Sequence, residues 1–493
     1  MASPDSVHAR AGAAIASLPG GHYIDGRVEP GRERMPSFDP GTGEAFAEFA
    51  AGDGADVDRA VSAARVALDG PWRRASAAER GRVLMRAAAL IRDHAERLAL
   101  IETLDVGKPL RESRGDVAGA ARAFEYYAGA CDKLQGDTIP LDRRHLAWTV
   151  HEPVGVCAQV VPWNYPTSTA ARGLAPALAA GCAVVVKPAE TTPFGALLLA
   201  QLLTEAGLPP GVCNVVTGTG AHAGAPLVAH PDVAHVTFTG SVPTGISVMQ
   251  AAARNVTRVV LELGGKSPVV VLADADLDTA AREVAGAIFE NAGQICSAGS
   301  RLVIARPIHD AFVARLAAHA RTLRLGHGLT DPGMGPLNSL AHQRRVAAAV
   351  DAARSRGAVV ATGGHACADP LTGRGWFFAP TILTDLAQGD PAVQEEIFGP
   401  VLAVAAFDDL DEAVELANGT RYALAAGVVT RDFAAAHRLA RDLDAGQVYV
   451  SEYFAGGIEV PFGGNRRSGF GREKGLEGLL GYCRTKAVAA RIE

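Results

Sequence analysis

The sequence predicts an α/β protein built on mostly parallel sheets, and three observations predict it. From about residue 146 short β-rich runs alternate with alanine-rich helical stretches, a pattern that implies parallel strands covered on both faces. A second alternating series starts after Gly264-Gly265. The chain has 493 residues, too many for one small core, so two or three domains are expected.

Taken in order, residues 1 to about 50 read as an extended arm with a turn at Asp39-Pro40-Gly41. A helix follows from Val57 to Leu68. Ser76 and Glu79 have capping-box spacing ahead of one long amphipathic helix, with Leu84, Ala87, Ala88, Ile91, Ala95 and Leu98 on one face. Another helix spans Asp116 to Ala130. Trp148-Thr149-Val150, Gly155 to Val161, Ala183 to Val186, Asn214 to Val216 and Val233 to Thr239 read as strands, with a helix from Phe194 to Ala206. The second series runs through the strand Ser267 to Leu272, the helix Leu277 to Asn291, the strand Arg301 to Ala305 and the helix Asp310 to Leu323. A strand at Gly357 to Ala361 and a helix at Leu410 to Ala417 follow, and Ala487 to Ile492 suits an edge strand. The main domain boundary falls near Gly264-Gly265.

Composition narrows the class. With 48% hydrophobic and 20% charged residues the chain is an ordinary globular protein. A net charge of −6 without a basic run argues against nucleic acid as a partner. The seven cysteines are scattered, with no Cys-x-x-Cys, which reads as reduced thiols in a cytoplasmic protein. The 14 histidines form no ligand-spaced cluster, so no metal is expected. Ala11 to Leu18 is a poor signal peptide, and Pro153 to Ala171 is too polar for a membrane span.

Six stretches carry chemistry. Cys296 sits among Gly293, Ser297, Ala298 and Gly299, small neighbours that leave room for a substrate, so it reads as a nucleophile rather than a packing residue. Asn164, between Trp163 and Tyr165, can donate its amide to an oxyanion. Glu262 ends an apolar strand before a glycine pair, a partly desolvated position that suits a general base. Phe238 to Gly245 is a strand-to-helix turn bounded by Gly240 and Gly245, with Ser241 as a hydroxyl donor, and suits a pyrophosphate; Gly218-x-Gly220-x-x-x-Gly224 is a weaker dinucleotide signal. Lys187 and Glu190 follow a strand and suit ribose hydroxyls, and Glu190 would repel a 2′-phosphate, favouring NAD over NADP. Glu395-Glu396-Ile397-Phe398-Gly399-Pro400, read alone, is a solvated charge pair beside a turn.

As an ordered set, Pro-Trp-Asn at 162–164, Lys-Pro-x-Glu at 187–190, Phe-Thr-Gly-Ser at 238–241, Glu-Leu-Gly-Gly-Lys at 262–266, Gly-Gln-x-Cys at 293–296 and Glu-Glu-x-Phe-Gly-Pro at 395–400 resemble the NAD(P)-dependent aldehyde dehydrogenase superfamily. So do Pro461-Phe462-Gly463-Gly464 and Ser468 to Glu473. The resemblance covers nearly the whole chain. It implies an aldehyde-dehydrogenase-like fold of two Rossmann-like parallel-sheet domains plus a small β oligomerisation domain. The implied NAD-binding domain spans 1–131 and 153–263, the catalytic domain 264–478, and the oligomerisation domain 132–152 and 479–493, giving a homodimer or homotetramer.

The implied reaction is NAD-dependent oxidation of an aldehyde by the Cys296 thiolate, with the oxyanion held by Asn164 and the Cys296 N–H. Glu262 then activates water against a thioester. The acyl-CoA-forming branch typically lacks this acid, so a free carboxylic acid is the expected product. Trp163, Lys187, Glu190, Ser241, Glu396 and Phe398 match cofactor contacts, Lys187 and Glu190 those of the adenine ribose, Ser241 that of the pyrophosphate, and Glu396 and Phe398 those of the nicotinamide ribose and ring; Glu473 matches an acid of a proton path. The substrate side is expected to hold Tyr165, Arg172 and Glu290. Arg172 stands where many members carry a bulky group; it resembles semialdehyde or benzaldehyde-type enzymes and suits a substrate carboxylate. Glu290, where the semialdehyde branch adds an arginine, is expected either to neutralise Arg172 or to favour an aminoaldehyde. The substrate is therefore read as a polar, acidic or aromatic aldehyde. A cysteine hydrolase would need a histidine base, absent from these motifs, and a non-catalytic binding or structural protein would show decay of the nucleophile or base.

Overall fold

A computed structural model describes residues 4–493, with two large sheets at its centre. The first has eight strands. Five run parallel in the spatial order Cys213–Val215, Ala183–Lys187, Val156–Val160, His235–Thr239, Arg258–Glu262. Their buried Val/Ala/Cys composition is that of strands covered on both faces. His22–Ile24 and Arg27–Glu29 extend one edge antiparallel, and Gly469–Phe470, from near the end of the chain, closes the other against Leu261 and Glu262. The second sheet has seven strands in the order Val359–Thr362, Thr381–Thr384, Val401–Phe407, Arg301–Ala305, Pro268–Val271, Ala425–Val429, Gln447–Val450. All but the first are parallel. A separate three-stranded sheet pairs Cys483–Arg491 with His145–Pro153, residue for residue, and His145–Pro153 with Thr138–Ile139.

The order of the first sheet reverses between Val156–Val160 and His235–Thr239. Such a crevice at the carboxyl ends of the strands is where open α/β sheets bind ligands. The chain then passes from the first sheet to the second through Leu263-Gly264-Gly265-Lys266-Ser267, without an intervening helix.

Several expectations are corrected here. The N-terminal arm is not extended throughout: Pro4–Ala16 is a helix whose Ala11 and Ala14 are buried, small enough to let it lie close on the core. The long amphipathic helix is two, Ala77–Asp93 and Ala95–Val106, broken at His94 (φ −99°, ψ 13°). The second is buried around its whole circumference from Leu98 to Val106, so it must turn inward from the surface line that the first follows. The Ser76–Glu79 capping box forms as read, and Asp53 with Asp56 makes another. Pro166–Ala180, buried on nearly every side, carries no amphipathic period and gives the sequence pattern nothing to detect.

Candidate active site

The reversal crevice is a cleft of about 560 Å³ lined by Trp163, Asn164, Lys187, Glu190, Gly240, Ser241, Glu262, Cys296, Glu396 and Phe398, among others. Ten of the residues singled out from sequence therefore come together, from both sheets. On one wall Ser241 caps the helix Val242–Ala253, its Oγ accepting from the Thr244 N–H. In that first turn Pro243 has no N–H, and the Thr244 and Gly245 N–H groups are spent on Ser241, which leaves the Val242 N–H, beside the Ser241 hydroxyl at the positive end of the helix, as the amide that suits a pyrophosphate. Gly245 does not line the cleft. An added Cβ there would fall 2.6 Å from the Leu263 side chain, so this glycine lets the helix dock on the strand that carries Glu262. Lys187 is buried and pairs with the half-exposed Glu190 at 3.3 Å, so the two groups expected to meet a ribose hold each other in register.

The loop that carries Cys296 is shaped by its backbone. The helix expected to reach Asn291 stops at Phe289, because Asn291 (φ 44°), Ala292 (φ 53°) and Gly293 (φ 72°) are all left-handed. A Cβ on Gly293 would lie 2.2 Å from the Gly399 carbonyl oxygen, so only glycine fits. The Gln294 carbonyl then accepts from Asn164 Nδ2 at 2.8 Å. That bond uses one amide hydrogen of Asn164 and leaves the other for the cleft. Burial pushes the Cys296 thiol up to about 12; Arg172 pulls against this, while Glu262 and Glu396 add to it.

Glu262 is 1% exposed and neither carboxylate oxygen has a hydrogen-bond partner. Burial first, then the charge of Glu473, hold its carboxyl well above the usual range, against Arg172, Arg472 and Lys474. Glu396 is no solvated surface acid, as its stretch alone suggested. Its Oε1 accepts from the Gly265 N–H at 3.1 Å, and burial raises its carboxyl to about 7. A Cβ on Gly264 would fall 2.1 Å from Glu396 Oε2, and one on Gly265 would fall 2.5 Å from the Cys296 carbonyl oxygen. The glycine pair is thus the gap into which both groups fit.

On the substrate side the expected Arg172–Glu290 pairing does not form. Arg172 makes its ion pair with Glu473, and its guanidinium lies 5.0 Å from the centre of the Phe462 ring. Lys474 stands over the same ring at 5.3 Å. The physical reason is position: Arg172 projects from the helix Pro166–Ala180 toward the C-terminal loop. Glu290 instead neighbours Glu112, Lys108 and Arg111 at the start of the helix Leu110–Ala130. Tyr165 caps the helix that carries Arg172, with Lys108 Nζ 3.9 Å from its ring centre. Glu473 is 4% exposed, and its backbone is held by two hydrogen bonds to Phe462.

The model described as "Aldehyde dehydrogenase family" matches residues 28–488. This chain belongs to the aldehyde dehydrogenase family. It is 44% identical over 466 residues to the horse protein named aldehyde dehydrogenase, mitochondrial, covering 94% of this chain and 92% of that one. Among solved structures it is similar to the NAD+ complex of a Bacillus cereus aldehyde dehydrogenase, with 40% identity, 98% of each chain covered and a TM-score of 0.95. A betaine aldehyde dehydrogenase from Staphylococcus aureus, solved with NAD+, is 37% identical, covering 97% of this chain and 96% of that one, with a TM-score of 0.95. Among the described residues of this family member, no group of His, Cys, Asp and Glu could hold a metal ion, and no helix is long and apolar enough to cross a membrane.

Sequence reasoning missed His342, which sits in no motif. It accepts from Arg345 at Nδ1 (2.7 Å), so its Nε2 carries the proton that it donates to the Phe398 carbonyl (2.7 Å). Burial, with the nearby Arg345 charge, drops its pKa to about 4 and keeps it neutral. The bond holds Phe398 at φ 60°, and Trp163 packs edge-on at 5.4 Å from Phe398 and 5.6 Å from His342. Replacing His342 by alanine releases this aromatic wall. The expected result is a KM for the dinucleotide raised about tenfold, in line with the loss of one buried hydrogen bond, with thermal stability little changed. Initial-rate kinetics and a melting curve check it.

Proposed function

We propose that this chain oxidises an aldehyde to the free carboxylic acid with NAD as cofactor, through a thiohemiacetal and then a thioester on Cys296. One observation carries the reading: a thiol, an amide donor and a buried acid, Cys296, Asn164 and Glu262, line the same cleft as the anion cradle at Ser241. The cradle, the Lys187–Glu190 pair, Glu396 and the Trp163–Phe398 wall fit a dinucleotide; NAD, when bound, supplies the acceptor for the substrate hydride. The Cys296 thiol first gives up its proton to water, a loss that the charge of Arg172 favours, and the thiolate then adds to the carbonyl carbon as the carbonyl π bond breaks. The oxygen takes the negative charge and is held by the Asn164 amide and the Cys296 N–H. Loss of hydride from that carbon restores the carbonyl as a thioester. Glu262 in its ionised form takes a proton from water as the water adds, and the C–S bond breaks to return the thiolate. The expected outcome with a panel of aldehydes is growth of NADH absorbance, and Cys296→Ser loses activity by about 10³-fold or more. Wild-type turnover in that variant would end the reading.

For the substrate we favour an aromatic or other bulky aldehyde over an acidic one. An aromatic side chain stands beside each catalytic group: Tyr165 follows Asn164, Tyr453 donates to the Ser297 carbonyl at 2.8 Å, and Phe462 precedes Gly463, which lies against Glu262. Arg172 already has a carboxylate partner in Glu473. Arg172→Leu is therefore expected to change KM for an acidic aldehyde and a neutral one of similar size by the same factor, within about threefold. A selective rise for the acidic substrate would restore the carboxylate reading.

The assembly we propose is a homodimer or homotetramer formed through the three-stranded sheet. Its outer strand Cys483–Arg491 offers an open edge, and Ile139, Leu141, Leu146 and Ile492 are exposed around it. Truncation after Tyr482 should lower the sedimentation coefficient to that of a smaller species; an unchanged value would place the interface elsewhere. A cytoplasmic location fits the seven unpaired cysteines.

A further inference from the structure

Lys266 is among the largest fully buried side chains, 2% exposed, and its Nζ has no hydrogen-bond partner. A buried, unpartnered ammonium destabilises a fold, so a charge in that position calls for a role. Its backbone fixes where it stands. The Lys266 carbonyl accepts from Arg301 Nε at 2.8 Å, and Gly265, the residue before it, donates to Glu396 Oε1. The charged and titratable groups around it come from four elements. Arg301, on the strand Arg301–Ala305, spends its other N–H groups on the Leu416 and Ala417 carbonyls at the end of the helix Leu410–Asn418. Glu395 is paired outward with Arg421. Arg345, on the helix Leu340–Ser355, is tied to His342. Tyr422 lines the cleft beside Glu396. Glu396 is thus the acid in this group without a cationic partner in contact, and Lys266 is the cation without an anionic one.

We propose that Lys266 is a positioning residue for the cofactor: acting across the Gly264-Gly265 pair, its buried ammonium keeps the Glu396 carboxylate ionised and so able to accept from the hydroxyls of the nicotinamide ribose. This deepens the reading in which Glu396 holds that ribose. The electrostatics agree in sign. Burial raises Glu396 to about 7 and lowers Lys266 to about 7, while each one's charge draws the other back toward its ionised form. At and below neutrality, where Glu396 tends to protonate, Lys266 is charged and opposes it. At higher pH the carboxylate is ionised without help. Removing the ammonium must therefore move the acid limb of cofactor binding upward in pH and leave the alkaline side unchanged.

The experiment is a fluorescence titration of NADH binding to the full-length wild type, Lys266→Met, Lys266→Arg and Glu396→Gln from about pH 5.5 to about 9.5. AMP is titrated alongside; it reaches only the adenine-side groups near Lys187 and Ser241. In Lys266→Met the midpoint of the acid limb should rise by about one pH unit and NADH affinity near pH 7 should fall up to about tenfold. AMP binding should be unchanged, and Lys266→Arg should restore the profile. Should the methionine variant not fold, Lys266→Gln gives the same reading. An unmoved midpoint in the neutral variants, with Glu396→Gln still weakening NADH, overturns the role of Lys266 alone. NADH affinity in Glu396→Gln equal to wild type at every pH overturns the ribose reading of Glu396, and the inference with it.

Discussion

Everything at this centre depends on how closely two sheets approach at Gly264-Gly265. The chain leaves the first sheet with Glu262 at the end of its last parallel strand and enters the second at Pro268. Between them, one glycine faces the Glu396 carboxylate and the next faces the backbone of Cys296. No side chain of any size fits at either position, so acid, nucleophile and Glu396 are placed relative to one another by a few peptide units of main chain. That is a stiff arrangement. A shift of ~1 Å in such a constellation costs ~10²-fold in rate, and a single added methyl group here would force more than that. Gly293 repeats the device from the other side, where the nucleophile loop lies on the Gly399 carbonyl.

The same close approach buries the reactive groups, and burial sets their charge states. The thiol and two acids titrate far from their usual positions, and for each of them burial is the first cause. For the thiol, burial favours the protonated form. A buried site that resists negative charge is also one in which a positive charge has large effect, because little solvent screens it. The cations on this chain that bear on Cys296 and Glu262 are Arg172, Arg472 and Lys474. A cationic ring bound in the cleft lined by Cys296 and Glu396 would act in the same direction.

Much of this was legible in the sequence because small motifs there are shaped by backbone geometry. The parallel sheets show as buried β-branched runs, and the glycines in Glu-Leu-Gly-Gly-Lys and Gly-Gln-x-Cys mark contacts that admit no Cβ. What escaped has physical reasons. The helix Pro166–Ala180 is buried all round and has no period. His342 and Arg345 lie on an ordinary amphipathic helix and reach Phe398 only through the fold. The break at His94 follows from where the next helix must go, not from its own residue type. Glu396 looked solvated because its surroundings arrive from Gly264, 132 positions earlier in the chain.

Arg172 shows the limit of reading chemistry from residue type. An arginine beside a substrate channel suggests a carboxylate ligand, and so it does here, but the carboxylate is the protein's own Glu473. An ion pair buried between a helix and the C-terminal loop gains little net stability over an apolar contact. What it does provide is geometry: the guanidinium is held over the Phe462 ring, close enough for its charge to act on Glu262 and Cys296. An acidic substrate would have to displace Glu473 and leave that acid buried without its partner, beside a second buried acid. A neutral substrate would need no such exchange. On the proposed reading, the pairing of Arg172 would count against acidic aldehydes at the point where its presence alone suggested their recognition.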